Sequence, residues 1–180
     1  MDRYSFVAML QAYETDFAEE RKFIFAFLEL LGHRDCFQRT HLPGHITGSA
    51  WIVNGAKTKT LLVHHAKLNK WVQPGGHADG DENILAVALR EAEEETGLLK
   101  LKPVPTIFDI DIHTIPERKD FPQHLHYDVR FVVEASEEEP AVISDESHDV
   151  KWIELSRLGD FTAERSVLRM KEKIVPVHSL

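Results

Sequence analysis

Apolar side chains recur at helical spacing through residues 1–35. Phe6, Met9, Leu10 and Tyr13 repeat every three or four positions, and residues 23–31 are apolar on almost every side. A helix that is apolar on almost every side is normally buried on most of its surface. We therefore expect two N-terminal helices that pack on the rest of the chain, cover a pocket or form the surface of a homodimer.

From residue 44 the pattern changes to short extended runs separated by turn residues. It predicts strands at 46–53, 60–65, 71–73, 106–115, 126–135 and 150–153, and helices at 83–96 and 162–174. Gly97 is the expected C-terminal cap of the first of these helices. Strands mixed with a few helices predict an α/β (α+β) fold with a mixed β-sheet sandwiched between α-helices. We divide the chain into an N-terminal helical extension, 1–43, and a domain, 44–180.

The charge balance adds a constraint on what the protein binds. The formal net charge is -9, which disfavours a nucleic-acid partner and requires a local cation if the ligand is a phosphate. The single cysteine, Cys36, rules out an intramolecular disulfide and fits a reducing compartment. With no secretion signal and no apolar run of membrane-spanning length, we expect a cytoplasmic protein without a membrane partner.

The helix predicted at 83–96 carries closely spaced carboxylates. Glu91, Glu94 and Glu95 sit at positions i, i+3 and i+4, within an arc of roughly 100° of the helix surface, whereas Glu93 points away. Like charges at this spacing repel, and a hard divalent cation such as Mg²⁺ or Mn²⁺ would relieve the repulsion. The alternative is a solvated acidic face on which Arg90 pairs with Glu94.

The residues around these glutamates form a longer motif. From Gly76, five residues pass to Glu82, seven more pass to Arg90-Glu91, and Ala92-Glu93-Glu94-Glu95-Thr96-Gly97-Leu98 follow. This pattern matches the Nudix box, G-x5-E-x7-R-E-U-x-E-E-x-G-U with U apolar, at every specified position. The chain thus resembles the Nudix hydrolase superfamily, strongly over 76–98 and loosely over 44–160.

The resemblance implies a magnesium-dependent hydrolase in which water attacks phosphorus in a diphosphate linkage, within a nucleoside diphosphate linked to another group or a related small molecule. It implies that Arg90 orients the first metal ligand by a salt bridge. It also implies that Glu82 supports the loop and helix of the box, and sometimes a second metal. The implied ligands are Glu91, Glu94, Glu95 and the backbone carbonyl of Gly75.

Candidate residues also lie outside the box. We favour Glu146, in the loop before the last predicted strand, as a further acid or base, with His148 as its rival and a simple acidic turn as the alternative. The chain holds 11 histidines. His124, His126 and Asp128 occupy every second position of one predicted strand and would share a face. His77 lies near the start of the box. We expect His77, His126 and Asp128 to line the substrate pocket, with a second metal at His126 and Asp128 as a weaker alternative.

The sequence leaves the substrate open among nucleotide sugars, nucleoside triphosphates and non-nucleotide diphosphates. Two rival functions exist for a chain with this resemblance. A catalytically inactive ligand-binding or regulatory protein of this fold commonly lacks box glutamates, and here they are all present. An isopentenyl-diphosphate-isomerase-like enzyme needs a cysteine near the site, and Cys36 lies next to the predicted N-terminal helices.

Overall fold

The structure, a computed structural model, describes residues 1–119 and 121–174. These residues form two compact units, of which the first comprises Met1–Ser49, Gly75–Ala88 and Pro105–Phe131. The second comprises Ala50–Pro74, Leu89–Val104 and the described residues from Val132 onward. Residues 175–180 of the predicted 44–180 domain lie outside the described residues. Within the described ranges, no helix combines the length and the apolar composition needed to cross a bilayer.

The helices agree with those predicted from the apolar spacing. They are α1 (Arg3–Gln11), α2 (Ala18–Leu30), α3 (Ile84–Thr96), a short 3-10 helix (Leu155–Asp160) and α4 (Arg165–Ile174). The side chain of Asn83 accepts a hydrogen bond from the amide of Ala86 at 3.3 Å at the start of α3. Gly97 ends that helix at φ +70°, a conformation that favours glycine.

The described residues form eight strands. They are β1 (Gly44–Val53), β2 (Lys59–His65), β3 (Lys70–Val72), β4 (Gly75–His77), β5 (Lys102–Pro103), β6 (Asp109–Ile115), β7 (His124–Glu134) and β8 (Ser147–Glu154). Six of these eight strands fall close to predicted positions, whereas the short β4 and β5 were not predicted. The residues before Asp109 in the predicted strand 106–115 lie outside β6. Pairing begins at Asp109, which stands opposite Arg130 of β7.

In the first unit, β4 pairs with the beginning of β1, β6 pairs with β7, and both pairs are antiparallel. Successive residues of β1 and β7 point alternately to an apolar core and to a polar face. Ile46, Val129 and Phe131 join an apolar core that also contains Phe6 and Phe27 from the N-terminal helices. The opposite faces of the same strands are polar and carry histidine, hydroxyl and aspartate side chains.

In the second unit, β2 pairs antiparallel with the end of β1, with β3 and with β8. The short β5 pairs antiparallel with the end of β7. A separate apolar core includes Ala92 of α3, Ile52, Leu61 and Val133. The core therefore fixes the face of α3 that points inward, and with it the direction of the box glutamates.

Candidate functional site

The box glutamates of the second unit lie on α3, next to its buried face. Ala92 is fully buried, Glu95 is 8% exposed, and the side chain of Glu91 is 16% exposed. Glu93 and Glu94 are both exposed. Because the helix turns by roughly 100° per residue, Glu94 lies on the same edge as Glu91 and Glu95, and Glu93 lies on another side. Three carboxylates thus follow the border between the core and the solvent.

Arg90 contacts the first of these glutamates. Its Nη2 lies 2.9 Å from Oε1 of Glu91, and the arginine side chain is 45% exposed. A guanidinium at this distance restricts the rotamers of the carboxylate and partly neutralises it. The contact is the one implied by the resemblance, and its importance for catalysis remains a prediction.

Gly75 begins β4 in the first unit, where two strands approach closely. It stands opposite Ser49 of β1, and a Cβ added at Gly75 would overlap the hydroxyl oxygen of Ser49. That Cβ would also lie 2.7 Å from the Cβ of Ser49 and 2.9 Å from the carbonyl oxygen of Gly48. A glycine is therefore required at this position by packing alone, whatever its carbonyl binds.

A buried polar network holds Ser49 in place. Its hydroxyl donates to Oδ1 of Asp128 at 2.7 Å, and Oδ2 of Asp128 accepts from Nε of Arg130 at 2.7 Å. The same guanidinium contacts Asp109 at 3.1 Å and Asp111 at 3.4 Å. Burial lowers the pKa of Arg130, but the three carboxylates outweigh it and the pKa is raised overall. Asp128 thus supports Gly75 through Ser49, and its predicted contact with substrate stays a prediction.

Glu82, the first glutamate of the box, is held by the N-terminal helix α1. Its carboxylate accepts from the backbone amide of Arg3 at 3.2 Å and from Nε of Arg3 at 3.0 Å. The guanidinium of Arg3 also donates to the carbonyl oxygens of Leu31, His33 and Arg34. One side chain therefore joins the loop of the box to the end of α2.

Four histidines meet on the polar face of the first unit. We call them the histidine cluster: His45 of β1, His77 of β4, and His124 and His126 of β7. Ring centroids of neighbouring pairs are 4.9–5.2 Å apart. The structure thus brings the predicted His77 and His126 together, and it adds His45, which the sequence analysis missed. A signal was available, because His45, Thr47 and Ser49 alternate along β1 as His124, His126 and Asp128 do along β7.

The environment of the cluster disfavours protonation. Burial, reinforced by neighbouring cationic groups, lowers the pKa of His77 to about 4 and that of His126 to about 2. Burial also lowers the pKa of His45. Desolvation disfavours the charged form of an imidazole, and nearby histidines add to the effect. These three rings are neutral at pH 7 and can accept a hydrogen bond or bind a metal ion through a lone pair.

Glu146 lies in the turn before β8 of the second unit, with an exposed side chain. Its carbonyl oxygen accepts from the amide of Ala66 at 2.9 Å, which fixes the backbone of the turn. The rival base, His148, is exposed on β8, with its ring 5.4 Å from that of His64. Both groups are accessible to solvent and can exchange protons with it.

Comparison with known proteins identifies the family. The model of the NUDIX domain matches residues 44–173, which include the whole box. The chain therefore belongs to the Nudix family. Its architecture is the Nudix fold, a mixed β-sheet with flanking helices, and the N-terminal helices precede the matched region.

Similar proteins include hydrolases of phosphorylated small molecules and of RNA. The chain is 28% identical over 124 residues to a probable DHNTP pyrophosphohydrolase of Lactococcus lactis, covering 68% of this chain and 74% of that protein. It is 43% identical over 72 residues to the m7GpppN-mRNA hydrolase of Xenopus laevis, a match that spans 34% of this chain and 24% of the relative. The second match is thus confined to a small part of a longer protein.

Solved structures agree on the fold. A Caenorhabditis elegans Ap4A hydrolase superposes with a TM-score of 0.60 at 20% identity, covering 71% of this chain and 93% of that one. A NUDIX-family hydrolase from Clostridium perfringens gives a TM-score of 0.55 at 26% identity, over 72% and 95% of the two chains. With the intact box, these findings define the protein as a Nudix-type pyrophosphohydrolase, an enzyme that hydrolyses pyrophosphate bonds.

Proposed function

We propose that the enzyme uses Mg²⁺ or Mn²⁺, bound through Glu91, Glu94 and Glu95, to promote attack of water on phosphorus in a diphosphate linkage. The observation that carries the proposal is the placement of these three carboxylates on one edge of α3. Two of them, Glu91 and Glu95, are largely withdrawn from water. The resemblance to the Nudix box adds the carbonyl of Gly75 as a ligand.

The donor chemistry fits a hard divalent cation. Carboxylate and carbonyl oxygens are the ligands that Mg²⁺ and Mn²⁺ accept, usually with water and substrate phosphate completing the coordination. Three carboxylates on neighbouring turns of a helix repel one another, and the burial of Glu91 and Glu95 increases the repulsion between these two. When bound, the metal would screen the charge of the diphosphate and lower the pKa of a water molecule.

Residues of the chain position these ligands. The ion pair with Arg90 orients Glu91, and the contacts of Glu82 with Arg3 hold the loop of the box. We propose Glu146 as the group that removes a proton from the attacking water, with His148 as its rival. Exposed on the turn before β8 or on β8 itself, either group can pass that proton to solvent.

Replacing Glu94 by Gln tests the metal site, because it removes a charge and keeps the size of the side chain. We expect Glu94→Gln to lower kcat by about 100-fold or more, as loss of a preorganised electrostatic contact does. Glu93→Gln is the matched control: it is the neighbouring residue, is equally exposed, and should leave kcat within a factor of about two, as surface changes away from a site usually do. The measurement is release of phosphate or pyrophosphate against magnesium concentration, with the fold checked by circular dichroism.

Equal losses from both substitutions would contradict the assignment of the ligands. Undiminished turnover after magnesium is removed with a chelator would contradict the metal dependence. Absence of turnover on a broad panel, with ligand binding retained, would instead favour the inactive binding protein. Mass spectrometry of products formed in ¹⁸O-labelled water identifies the phosphorus that is attacked.

The proposed substrate is a small molecule with a diphosphate linkage, either a nucleoside diphosphate linked to another group or a related compound. Dihydroneopterin triphosphate is the first compound to test, since the Lactococcus relative matches most of this chain and is named for that activity. The panel should include nucleoside triphosphates, nucleotide sugars, diadenosine polyphosphates and capped RNA. The net charge of -9 weighs against RNA, whereas the local match to an mRNA hydrolase requires that it be tried.

We also propose a cytoplasmic location and a surface for a homodimer. The free thiol of Cys36 supports a cytoplasmic location. Tyr4 of α1 is 85% exposed and Phe25 of α2 is 77% exposed, and these aromatic surfaces are the place we propose for a homodimer contact. Light scattering on the purified chain, before and after Phe25→Ser, measures the mass and tests the contact.

A further inference from the structure

The reaction proposed at the box glutamates assigns no step to the histidine cluster. Its four rings come from β1, β4 and β7 of the first unit, and one nitrogen from each ring lies within 4.8 Å of all the others. Four imidazole nitrogens this close together form a donor set for a tetrahedral metal ion. We propose that the histidine cluster binds one divalent transition ion, with Zn²⁺ as its representative, separately from the magnesium site.

Two of the rings are already turned to present a lone pair. Nδ1 of His124 lies 2.9 Å from the carbonyl oxygen of Pro122, and Nδ1 of His45 lies 3.3 Å from that of His41. A carbonyl can only accept, so Nδ1 carries a proton in both rings, and Nε2 is the nitrogen of each ring that can bind a metal ion. Backbone carbonyls that fix the tautomer in this way are the usual outer support of metal-binding histidines.

One of these nitrogens lacks a partner. His45 is fully buried, and its Nε2 makes no hydrogen bond within the described residues. A buried polar atom without a partner is unfavourable, and it calls for a ligand, an ion or water. Because the ring of His45 lies 5.0–5.2 Å from those of His77, His124 and His126, a metal ion held by the four nitrogens would satisfy this atom together with the other three.

The spacing agrees with coordination. Two nitrogens bound to one tetrahedral zinc at about 2.0–2.1 Å stand roughly 3.3–3.4 Å apart. Nε2 of His124 and Nε2 of His126 are 3.2 Å apart. The four nitrogens all lie within 4.8 Å of one another, so His45 and His77 would have to close on this pair by about 1.5 Å at most, which small side-chain rotations supply.

Imidazole nitrogen also determines which metal binds. Zn²⁺, Cu²⁺, Ni²⁺ and Co²⁺ accept imidazole ligands, whereas Mg²⁺ prefers oxygen. The carboxylates of α3 offer only oxygen, so magnesium in excess occupies those carboxylates and leaves the cluster to the transition ion. A bound ion would join β1, β4 and β7 and stabilise the first unit against unfolding.

The experiment measures zinc uptake in the presence of about 10 mM magnesium, a concentration at which hard ions fill oxygen sites. We expect one equivalent of zinc with a Kd of about 1 μM or below, and a rise in melting temperature of about 5–10 °C at zinc concentrations near 100 times Kd. Cobalt should give the intense visible absorption of a tetrahedral nitrogen site. The Glu94→Gln variant should bind zinc and cobalt as the parent does, which separates this site from the box.

The His126→Gln variant should weaken zinc binding by about 100-fold and abolish the cobalt spectrum, as losses of ligand or supporting contacts do in metal sites. His64→Gln is the matched control, because His64 is half-buried in the second unit and outside the cluster. If His126→Gln is poorly folded, the cobalt absorption spectra of the parent and of Glu94→Gln test the proposal without it.

Three results would overturn the proposal: uptake lost with Glu94→Gln, uptake unchanged in folded His126→Gln, or equal weakening by His64→Gln. If His126→Gln instead raises KM without affecting zinc, the cluster binds substrate and not metal.

Discussion

Replacing Gly75 by Ala is the most direct test of how the polar network supports the box. The added methyl group would overlap the hydroxyl oxygen of Ser49 and would lie 2.9 Å from the carbonyl oxygen of Gly48. Rotating the Ser49 side chain would free its oxygen, but the Cβ of Ser49 would remain 2.7 Å from the new methyl. The two strands must therefore separate, since both remaining contacts belong to β1 itself.

The expected loss of stability can be estimated from these contacts. Overpacking one methyl group costs about 1–3 kcal/mol. Losing the hydrogen bond from Ser49 to the buried carboxylate of Asp128 costs about 1.5–3 kcal/mol, the range for charged partners. Alanine restricts the unfolded chain and returns about 0.4–1 kcal/mol. The net loss is about 2–5 kcal/mol, or a fall in melting temperature of roughly 4–20 °C for a chain of this size.

Urea denaturation followed by tryptophan fluorescence measures this loss. Gly159→Ala is the control, because a Cβ at Gly159 meets nothing within 4 Å and should change stability by about 0.5 kcal/mol or less. Adding Ser49→Gly to Gly75→Ala removes both contacts with the Ser49 side chain and leaves only that with the carbonyl oxygen of Gly48, so the two losses should be clearly less than additive. A loss below about 1 kcal/mol for Gly75→Ala, or strict additivity in the double variant, would refute the packing argument.

Two further predictions concern the N-terminal segment. Burial raises the pKa of the Cys36 thiol, so the folded protein holds less thiolate at every pH below that pKa. Because the thiolate is the reactive form, alkylation of the folded protein should be at least about 10-fold slower than in urea and should become faster as the pH rises. Rapid labelling of the native chain would show that the thiol is available for chemistry. Phe27→Ala should lower the free energy of unfolding by about 3–5 kcal/mol, since Phe27 is fully buried. Phe25→Ala on the same helix should lower it by about 0.5 kcal/mol or less. Similar losses from the two substitutions would contradict the orientation of α2.

Most of the helices and strands, and the row of carboxylates along one edge of α3, were predictable because they depend on local spacing. The positions of Glu91, Glu94 and Glu95 follow from the helical repeat alone, and Gly97 ends the helix through its own backbone preference. The strands follow from alternating polarity, which also placed His126 and Asp128 on one face. Their neighbours on that face were not predictable, since they belong to other strands.

Contacts between distant segments account for most of what the sequence did not reveal. Arg3 and Glu82 are 79 residues apart in the chain, and so are Ser49 and Asp128. No periodicity links such pairs, because strand order and register decide which faces meet. Arg130 is the clearest case: a lone arginine in an apolar strand predicts little, yet three aspartates from two strands surround it in the fold.

The N-terminal helices are part of the first unit's core, and a mobile lid formed by α2 would be costly for a specific reason. Glu20 of α2 is fully buried, and its carboxylate accepts from the amide of Ile110 at 3.1 Å and from the hydroxyl of Tyr13 at 2.7 Å. Opening α2 would strip that amide of its partner on β6 and would expose Phe27 as well. A helix so attached moves with the sheet beneath it. Any closing motion over substrate would therefore have to come from segments other than α2, and the exposed Phe25 remains the surface that we propose for a second chain.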